Sequence, residues 1–130
     1  MDLDSLNIIA LAYLGDAVYE VYVRKYLIDS GIVKVEKLQN EAIRYVSAKG
    51  QCKLVTYLID NNILNDKEVD IYKRGRNYKR SNHPKNTDII TYKMSTGFEA
   101  LIGYLYINDY IDRLNYIMDY IFGGYNEKDY

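Results

Sequence analysis

The sequence predicts an all-α fold, and three observations support this. Proline occurs only once, at Pro84, and long stretches carry apolar residues at spacings of three and four, as helices with one buried face do. The 16 tyrosines fall at helical rather than alternating positions, which predicts that they fill a core and its rim instead of forming strands. With 130 residues, 48% of them hydrophobic, we expect a single domain over residues 1–130 with a loose tail at 123–130.

The N-terminal part is predicted to contain two helices. Ser5 is a suitable N-cap for a first helix that ends near Leu14. Gly15 then marks either a bend or a close contact between helices. From Asp16 a long amphipathic helix runs to Gly31, whose position is typical of a C-terminal glycine.

Further helices are predicted along the rest of the chain. A stretch over 36–60 is helical, with Gly50 as the candidate break. A short helix capped by Asp66 follows and ends near residue 74. Helix resumes near Thr91 and continues to about Ile107, and a last helix begins at Ile111 and ends at two glycines.

Charge is distributed unevenly along the chain. Residues 71–86 contain six bases and no acid. The rest of the chain contains the other 11 of the 17 bases and all 18 acids. The net charge of −1 therefore hides a segment of +6. Because residues 75–88 also contain Gly, Asn, Ser and Pro, we predict an exposed basic loop that binds a polyanion.

Cysteine and histidine offer little chemistry here. Cys52 and His83 are single copies, which excludes an internal disulfide and leaves no plausible ligand set for structural zinc. We interpret Cys52 as a small core residue and His83 as a solvent-exposed loop residue. The N-terminus lacks the features of a signal peptide and no apolar stretch could cross a bilayer, so a cytosolic protein without membrane contact is expected.

Two acids lie inside apolar helical stretches, Asp16 and Glu99. A lone buried carboxylate is costly, so each needs a partner. Two interpretations are equally open: an N-cap at Asp16 with a structural salt bridge at Glu99, or carboxylates from two helices that hold magnesium against a phosphate. Glu20 lies one turn after Asp16 and could be a third ligand, although a solvated acid near Arg24 is the stronger interpretation.

Several motifs resemble one enzyme family. The segment LAYLGDAVYE over 11–20 is similar to the ribonuclease III signature, and STGFEALIGYL over 95–105 resembles the second acidic motif of that family. VSAKGQ over 46–51, KRGRN over 73–77 and PKNTD over 84–88 are similar to its Mini-III branch specifically. The resemblance spans nearly the whole chain, and its motifs occur in the expected order.

The resemblance implies a helical endonuclease domain that acts as a homodimer, each subunit cutting one strand of an RNA duplex to leave 5′-phosphate and 3′-hydroxyl ends. It implies Mg²⁺ as cofactor, with Asp16 and Glu99 as the catalytic, metal-binding residues. It further implies maturation of the 5′ and 3′ ends of the 23S ribosomal RNA precursor, with a large-subunit ribosomal protein as a candidate partner. By resemblance, the signature stretch Leu11–Val18 is a candidate dimer interface.

This chain departs from the larger ribonuclease III enzymes at three positions near the site. Ile9 and Ala12 stand where the larger enzymes have acids, and Thr96 stands where they have an aspartate. Fewer protein ligands are therefore available, and water must complete the octahedral shell of magnesium. The sequence also ends without a double-stranded RNA-binding domain, so we expect the catalytic domain itself to bind the duplex.

Duplex RNA is recognised mainly through phosphates and 2′-hydroxyls, which basic and short polar side chains can contact. The predicted RNA-binding residues are Lys73, Arg74, Arg76, Asn77, Lys79, Arg80, Lys85, Asn86, Thr87, Lys49 and Gln51. Lys49 and Gln51 are expected to add contacts near the metal, although ordinary exposed helix positions would explain them nearly as well. Two other functions compete with the enzyme: a non-catalytic RNA-binding or ribosome-associated module of the same fold, and a helical protein-interaction domain.

Overall fold

The computed structural model describes residues 7–79, 85 and 88–125. Six helices form these ranges, and the described residues contain no strand, which confirms the predicted all-α class. The helices are α1 (Ile8–Asp29), α2 (Val35–Val46), α3 (Ala48–Asp60), α4 (Asp66–Arg76), α5 (Ile89–Ile107) and α6 (Ile111–Gly124).

Helix α5 is the central element of the core. Except for Glu99, every residue from Ser95 to Leu105 is buried, so this helix is surrounded by others instead of presenting one apolar face to them. It makes its most extensive contact with α1 and also packs on α3, α4 and α6. No helix of the described residues is long and apolar enough to cross a membrane.

Helix α1 differs from the prediction at its beginning and at Gly15. It begins at Ile8, where the side chain of Asn7 accepts a hydrogen bond from the Ile9 N–H at 2.9 Å. The predicted cap, Ser5, lies outside the described residues. Helix α1 continues through Gly15 without interruption, so of the two alternatives for this glycine the close contact is correct and the bend is wrong.

The chain turns between α2 and α3 at Ser47, three residues before the predicted break at Gly50. Ser47 is extended, and its side chain accepts a hydrogen bond from the Gly50 N–H at 3.0 Å, which caps α3. Gly50 is helical and packs against the Arg44 carbonyl, where a Cβ would collide. A glycine is therefore needed here for close contact, and the serine cap produces the break.

Helix α4 is capped by Asn65 and not by the predicted Asp66. Asn65 and Glu68 form a capping box, in which each side chain accepts a hydrogen bond from the other residue's backbone N–H at 2.9 Å. Glu68 is 2% exposed and pairs with Arg113 of α6 at 2.7 Å. Arg113 also donates to the Ile63 carbonyl at 2.6 Å, so one guanidinium ties α4, α6 and the preceding loop together.

The helices that flank the basic segment are longer than predicted. Helix α4 extends to Arg76, and α5 begins at Ile89, capped by the Asp88 side chain, which accepts from the Thr91 N–H at 2.8 Å. A loose tail is predicted from Gly123, but α6 continues through Gly124. The ring of Tyr125 then packs on Tyr57, and residues 126–130 lie outside the described residues.

Candidate active site

The crossing of α1 and α5 brings their backbones into direct contact. Gly15 faces the main chain of Glu99, and Gly103 faces the carbonyl of Leu11; a Cβ on either glycine would collide with these main-chain atoms. Each helix thus supplies a glycine at the point where the other helix approaches. Asp16 is the next residue of α1, so the first acid is carried one residue from the point where α1 meets the backbone of Glu99.

Asp16 lies in the interior of α1, so the N-cap interpretation is wrong. It is exposed, which also corrects the expectation of a buried carboxylate. Within the part of the chain that the structure describes, its carboxylate makes no hydrogen bond or ion pair. Its oxygens therefore remain accessible to a ligand from solvent.

Glu99 is partly buried on α5 and is held by a glutamine. Its Oε2 accepts a hydrogen bond from Gln51 Nε2 at 3.2 Å. Gln51 lies on α3 and is only 1% exposed, and the same Nε2 donates to the Val46 carbonyl at 3.1 Å. Gln51 of α3 therefore links the end of α2 to the Glu99 carboxylate of α5.

The donor atoms fit a hard divalent cation. Asp16 and Glu99 offer carboxylate oxygens, and beside Glu99 the buried Gln51 Oε1 has no hydrogen-bond partner in the described structure. The described residues contain no group of three His, Cys, Asp or Glu side chains that could hold a metal. Glu20 pairs with Arg24 at 3.5 Å, as the solvated interpretation predicts.

Thr96, which replaces an acid of the larger enzymes, is buried and cannot supply a further ligand readily. It is 4% exposed, and its hydroxyl donates to the Tyr92 carbonyl at 3.1 Å within α5. Two carboxylates thus remain for the cation, and water would fill the other positions of its shell.

Buried aromatic rings pack between the two helices that carry Asp16 and Glu99. Tyr19, one turn after Asp16, packs edge-on against Phe98 with centroids 4.9 Å apart. Its hydroxyl donates to the Tyr45 carbonyl at 2.9 Å. Burial raises the pKa of Tyr19 well above its usual 10.0, and the charges of Tyr45, Tyr125 and Glu99 raise it further. Tyr19 is therefore a neutral structural donor and not an acid or base of the reaction.

Part of the basic segment lies on α4 and not in a loop, which corrects the predicted loop boundary. Lys73, Arg74 and Arg76 form the last turn of α4, where the helix dipole also favours cations. Gly75 lies among them and packs on α5: a Cβ there would be 2.9 Å from the Ala100 Cβ. This basic turn therefore packs against α5 at the residue that follows Glu99.

The predicted RNA-binding residues differ in their exposure to solvent. Five of them are exposed: Lys49, Lys73, Asn77, Lys79 and Lys85. Arg74 and Arg76 are partly buried, and Arg76 lies 5.6 Å from the Tyr72 ring centroid and donates to Asn77 at 3.1 Å. Arg80, Asn86 and Thr87 lie outside the described residues, as does His83. The prediction for Gln51 is wrong, because a residue 1% exposed cannot contact a duplex.

Cys52 is half-buried, with its sulfur 3.4 Å from that of Met94. Burial raises the pKa of its thiol above the usual 9.0, and the nearby Asp88 carboxylate raises it further. The thiol therefore stays protonated at neutral pH, which argues against a nucleophilic role.

Two features of the site were not recognised from the sequence. Gly103 forms the second half of the helix crossing, and its four-residue spacing from Glu99 on an apolar helix was the available signal. Gln51 is the partner of Glu99; the sequence led us to predict an RNA contact for it, although it ends the family-like motif VSAKGQ over 46–51.

Comparison with known proteins places these residues in a family. Residues 9–110 match the model of the Ribonuclease III domain. The chain is 46% identical to Mini-ribonuclease 3 of Streptococcus pneumoniae, and the match covers 92% of this chain and 94% of that protein. It is 47% identical to Mini-ribonuclease 3 of Acholeplasma laidlawii, with 93% of this chain and 99% of that protein covered. The crystal structure of a Fusobacterium nucleatum protein superposes with a TM-score of 0.81 at 29% identity, covering 95% of this chain and 97% of that one.

Proposed function

The chain belongs to the ribonuclease III family, in its Mini-ribonuclease 3 branch, and we propose that this endoribonuclease cuts double-stranded RNA with Asp16 and Glu99 as its catalytic carboxylates. The contact of Gly15 with Glu99 is the observation that carries the proposal. It joins the two helices that carry the exposed Asp16 and the partly buried Glu99 at the residue before Asp16.

Ribonuclease III enzymes generally depend on a divalent metal, and we propose Mg²⁺ for this chain. Asp16 and Glu99 would hold it, and it would supply a polarised phosphate and an activated water. The protein's own part is to fix Glu99 through Gln51 and to leave Asp16 open to solvent. With two carboxylates, most of the octahedral shell would be water.

The proposed RNA surface consists of the basic turn of α4 and the segment that follows it. Lys73 and Lys79 are exposed, as is Lys49 at the start of α3, and all three carry charge suited to phosphates. Arg80, Asn86 and Thr87 remain predicted contacts. The preference for a duplex follows from the family.

We propose a homodimer that forms through α1 and α2. Helix α1 leaves Tyr13 84% exposed and Val21 66% exposed, and α2 leaves Val35 and Ile43 more than half exposed. Helix α2 has no buried residue at all, so an apolar face without a partner borders the site. A twofold axis there would join two copies of Asp16, one for each strand of the duplex.

The physiological substrate that we propose is the 23S ribosomal RNA precursor, matured at both ends, with a large-subunit ribosomal protein as a candidate partner. The names of the relatives and the ribonuclease III domain are consistent with this role. Mapping of RNA ends in cells that lack the protein tests it. Unprocessed precursor is expected, and correctly matured ends in those cells would contradict it.

Incubation of a labelled RNA duplex with the protein, with and without Mg²⁺, tests the reaction. We expect Mg²⁺-dependent cuts in both strands, with 5′-phosphate and 3′-hydroxyl ends. The competing function is a non-catalytic RNA-binding module of the same fold. Duplex binding without cleavage at any Mg²⁺ concentration would establish that alternative instead.

A further inference from the structure

Gln51 is buried between two acceptors in a way that fixes its orientation. Its Nε2 lies 3.1 Å from the Val46 carbonyl and 3.2 Å from Glu99 Oε2. A flipped amide would place its carbonyl oxygen against both acceptors, which repel it. The amide nitrogen therefore points at Glu99, and the amide oxygen points elsewhere.

The end of α2 anchors this amide. Val46 is the last residue of α2, and Ser47 begins the turn into α3. Gln51 thereby connects the α2–α3 corner to the carboxylate of α5. A glutamate side chain has several free torsions, and a hydrogen bond from a buried, oriented donor such as Gln51 Nε2 restricts them. Mg²⁺ requires near-ideal octahedral geometry, so an oriented carboxylate binds it better than a mobile one.

The amide oxygen of Gln51 points to the same role. It is buried and has no partner in the described structure, and an unpaired buried acceptor is uncommon. Since Oε1 and Nε2 are bonded to one carbon, the unpaired acceptor lies close to the carboxylate that Nε2 holds. The structure bears this cost at the residue that holds Glu99, as proteins do at functional sites.

We propose that Gln51 is the positioning residue of this active site, with Nε2 orienting the Glu99 carboxylate. This rests on the proposed function. It also replaces the predicted role of Gln51 in RNA binding, which its burial excludes.

Side-chain NMR of the unaltered protein tests the proposal without a substitution. The chain has two glutamines, Gln39 and Gln51, and Gln39 is exposed on α2. In protein labelled with ¹⁵N-glutamine and free of RNA, added Mg²⁺ should shift the side-chain NH₂ signals of Gln51 and leave those of Gln39 in place. In Glu99→Gln the shift should disappear. Gln51 signals that do not move with Mg²⁺ would overturn the proposal.

A variant pair tests the effect on catalysis. Gln51→Met keeps the length of the side chain and removes the amide, whereas Asn108→Leu removes an amide that donates to the Tyr104 carbonyl at 2.9 Å without contacting a carboxylate. For Gln51→Met we expect single-turnover cleavage at saturating duplex to fall about 10–100-fold, with duplex affinity in Ca²⁺ changed less than about twofold. Asn108→Leu should cleave at the unaltered rate.

Full cleavage by a folded Gln51→Met would overturn the inference, as would a loss of duplex affinity matching that of Lys73→Ala. If Gln51→Met does not fold, the NMR measurement decides. Glu99→Gln distinguishes failure of the proposed function from failure of the proposed role of Gln51. Should it cleave normally, the proposed function itself fails; should it be inactive while Gln51→Met is fully active, only the role of Gln51 fails.

Discussion

Gly15 and Glu99 touch through their backbones: a Cβ on Gly15 would collide with the main-chain carbonyl of Glu99. Both positions belong to helices that cannot bend away cheaply, because α1 is uninterrupted and α5 is buried from Ser95 to Leu105 except at Glu99. The residue after Gly15 is Asp16, so the contact that packs the two helices also fixes the backbone segments that carry the two acids.

Gly15→Ala should therefore separate α1 from α5 and impair folding and cleavage together. Alanine is about 1 kcal/mol better than glycine in a helix, but the collision with a backbone should cost about 3 kcal/mol or more. Urea unfolding measures the net loss. Gly123→Ala in α6 is the control, because nothing lies within 4 Å of its Cβ. Equal stability of the two variants would show that the helices do not touch as described.

The Arg113–Glu68 pair is predicted to hold the basic helix in place. Arg113→Ala leaves a carboxylate 2% exposed without its guanidinium, and we expect a loss of about 3 kcal/mol in the free energy of unfolding. Lys25→Ala removes an exposed pair with Asp29 and should change stability little. Similar, small effects of both substitutions in urea unfolding would contradict the structural role of this pair.

Removal of bases from α4 should weaken RNA binding in a salt-dependent way. For Lys73→Ala or Arg74→Ala, the slope of log affinity against log salt should fall by about one, while cleavage of bound duplex should change less. Arg76→Ala should act similarly but also lose its contacts with Tyr72 and Asn77. The slope is obtained from titrations at several salt concentrations, with Lys25→Ala as the charge-matched control. An unchanged slope after removal of several of these bases would mean that the duplex binds elsewhere.

Tyr13 is predicted to lie in the dimer interface. Tyr13→Asp places a charge on the exposed apolar face of α1 and should yield a folded monomer in sedimentation at micromolar concentration. Tyr106→Asp changes another exposed tyrosine, on α5, and should remain dimeric. A monomeric unaltered protein that still cuts both strands at once would refute this part of the account.

Periodicity predicted the helices well, because most of them bury one face or are apolar throughout. The caps were harder to predict, since Asn65 and Asp66 are both suitable by type and only the backbone conformation selects Asn65. The two carboxylates were recognisable because acids are conspicuous in apolar helices. Gln51 was not, because an amide between Lys49 and Lys53 resembles a solvated residue until α3 packs on α5.

The two carboxylates carry the central claim, and a paired measurement on Asp16→Asn and Glu99→Gln tests it most directly. Each substitution removes a ligand charge and keeps the side chain's shape, so the fold and the duplex affinity in Ca²⁺ should persist. Cleavage in Mg²⁺ should fall on the order of 1,000-fold, since a metal supplies several kcal/mol of charge stabilisation. A variant that binds duplex and still cleaves at the unaltered rate would show that its carboxylate is not a catalytic ligand.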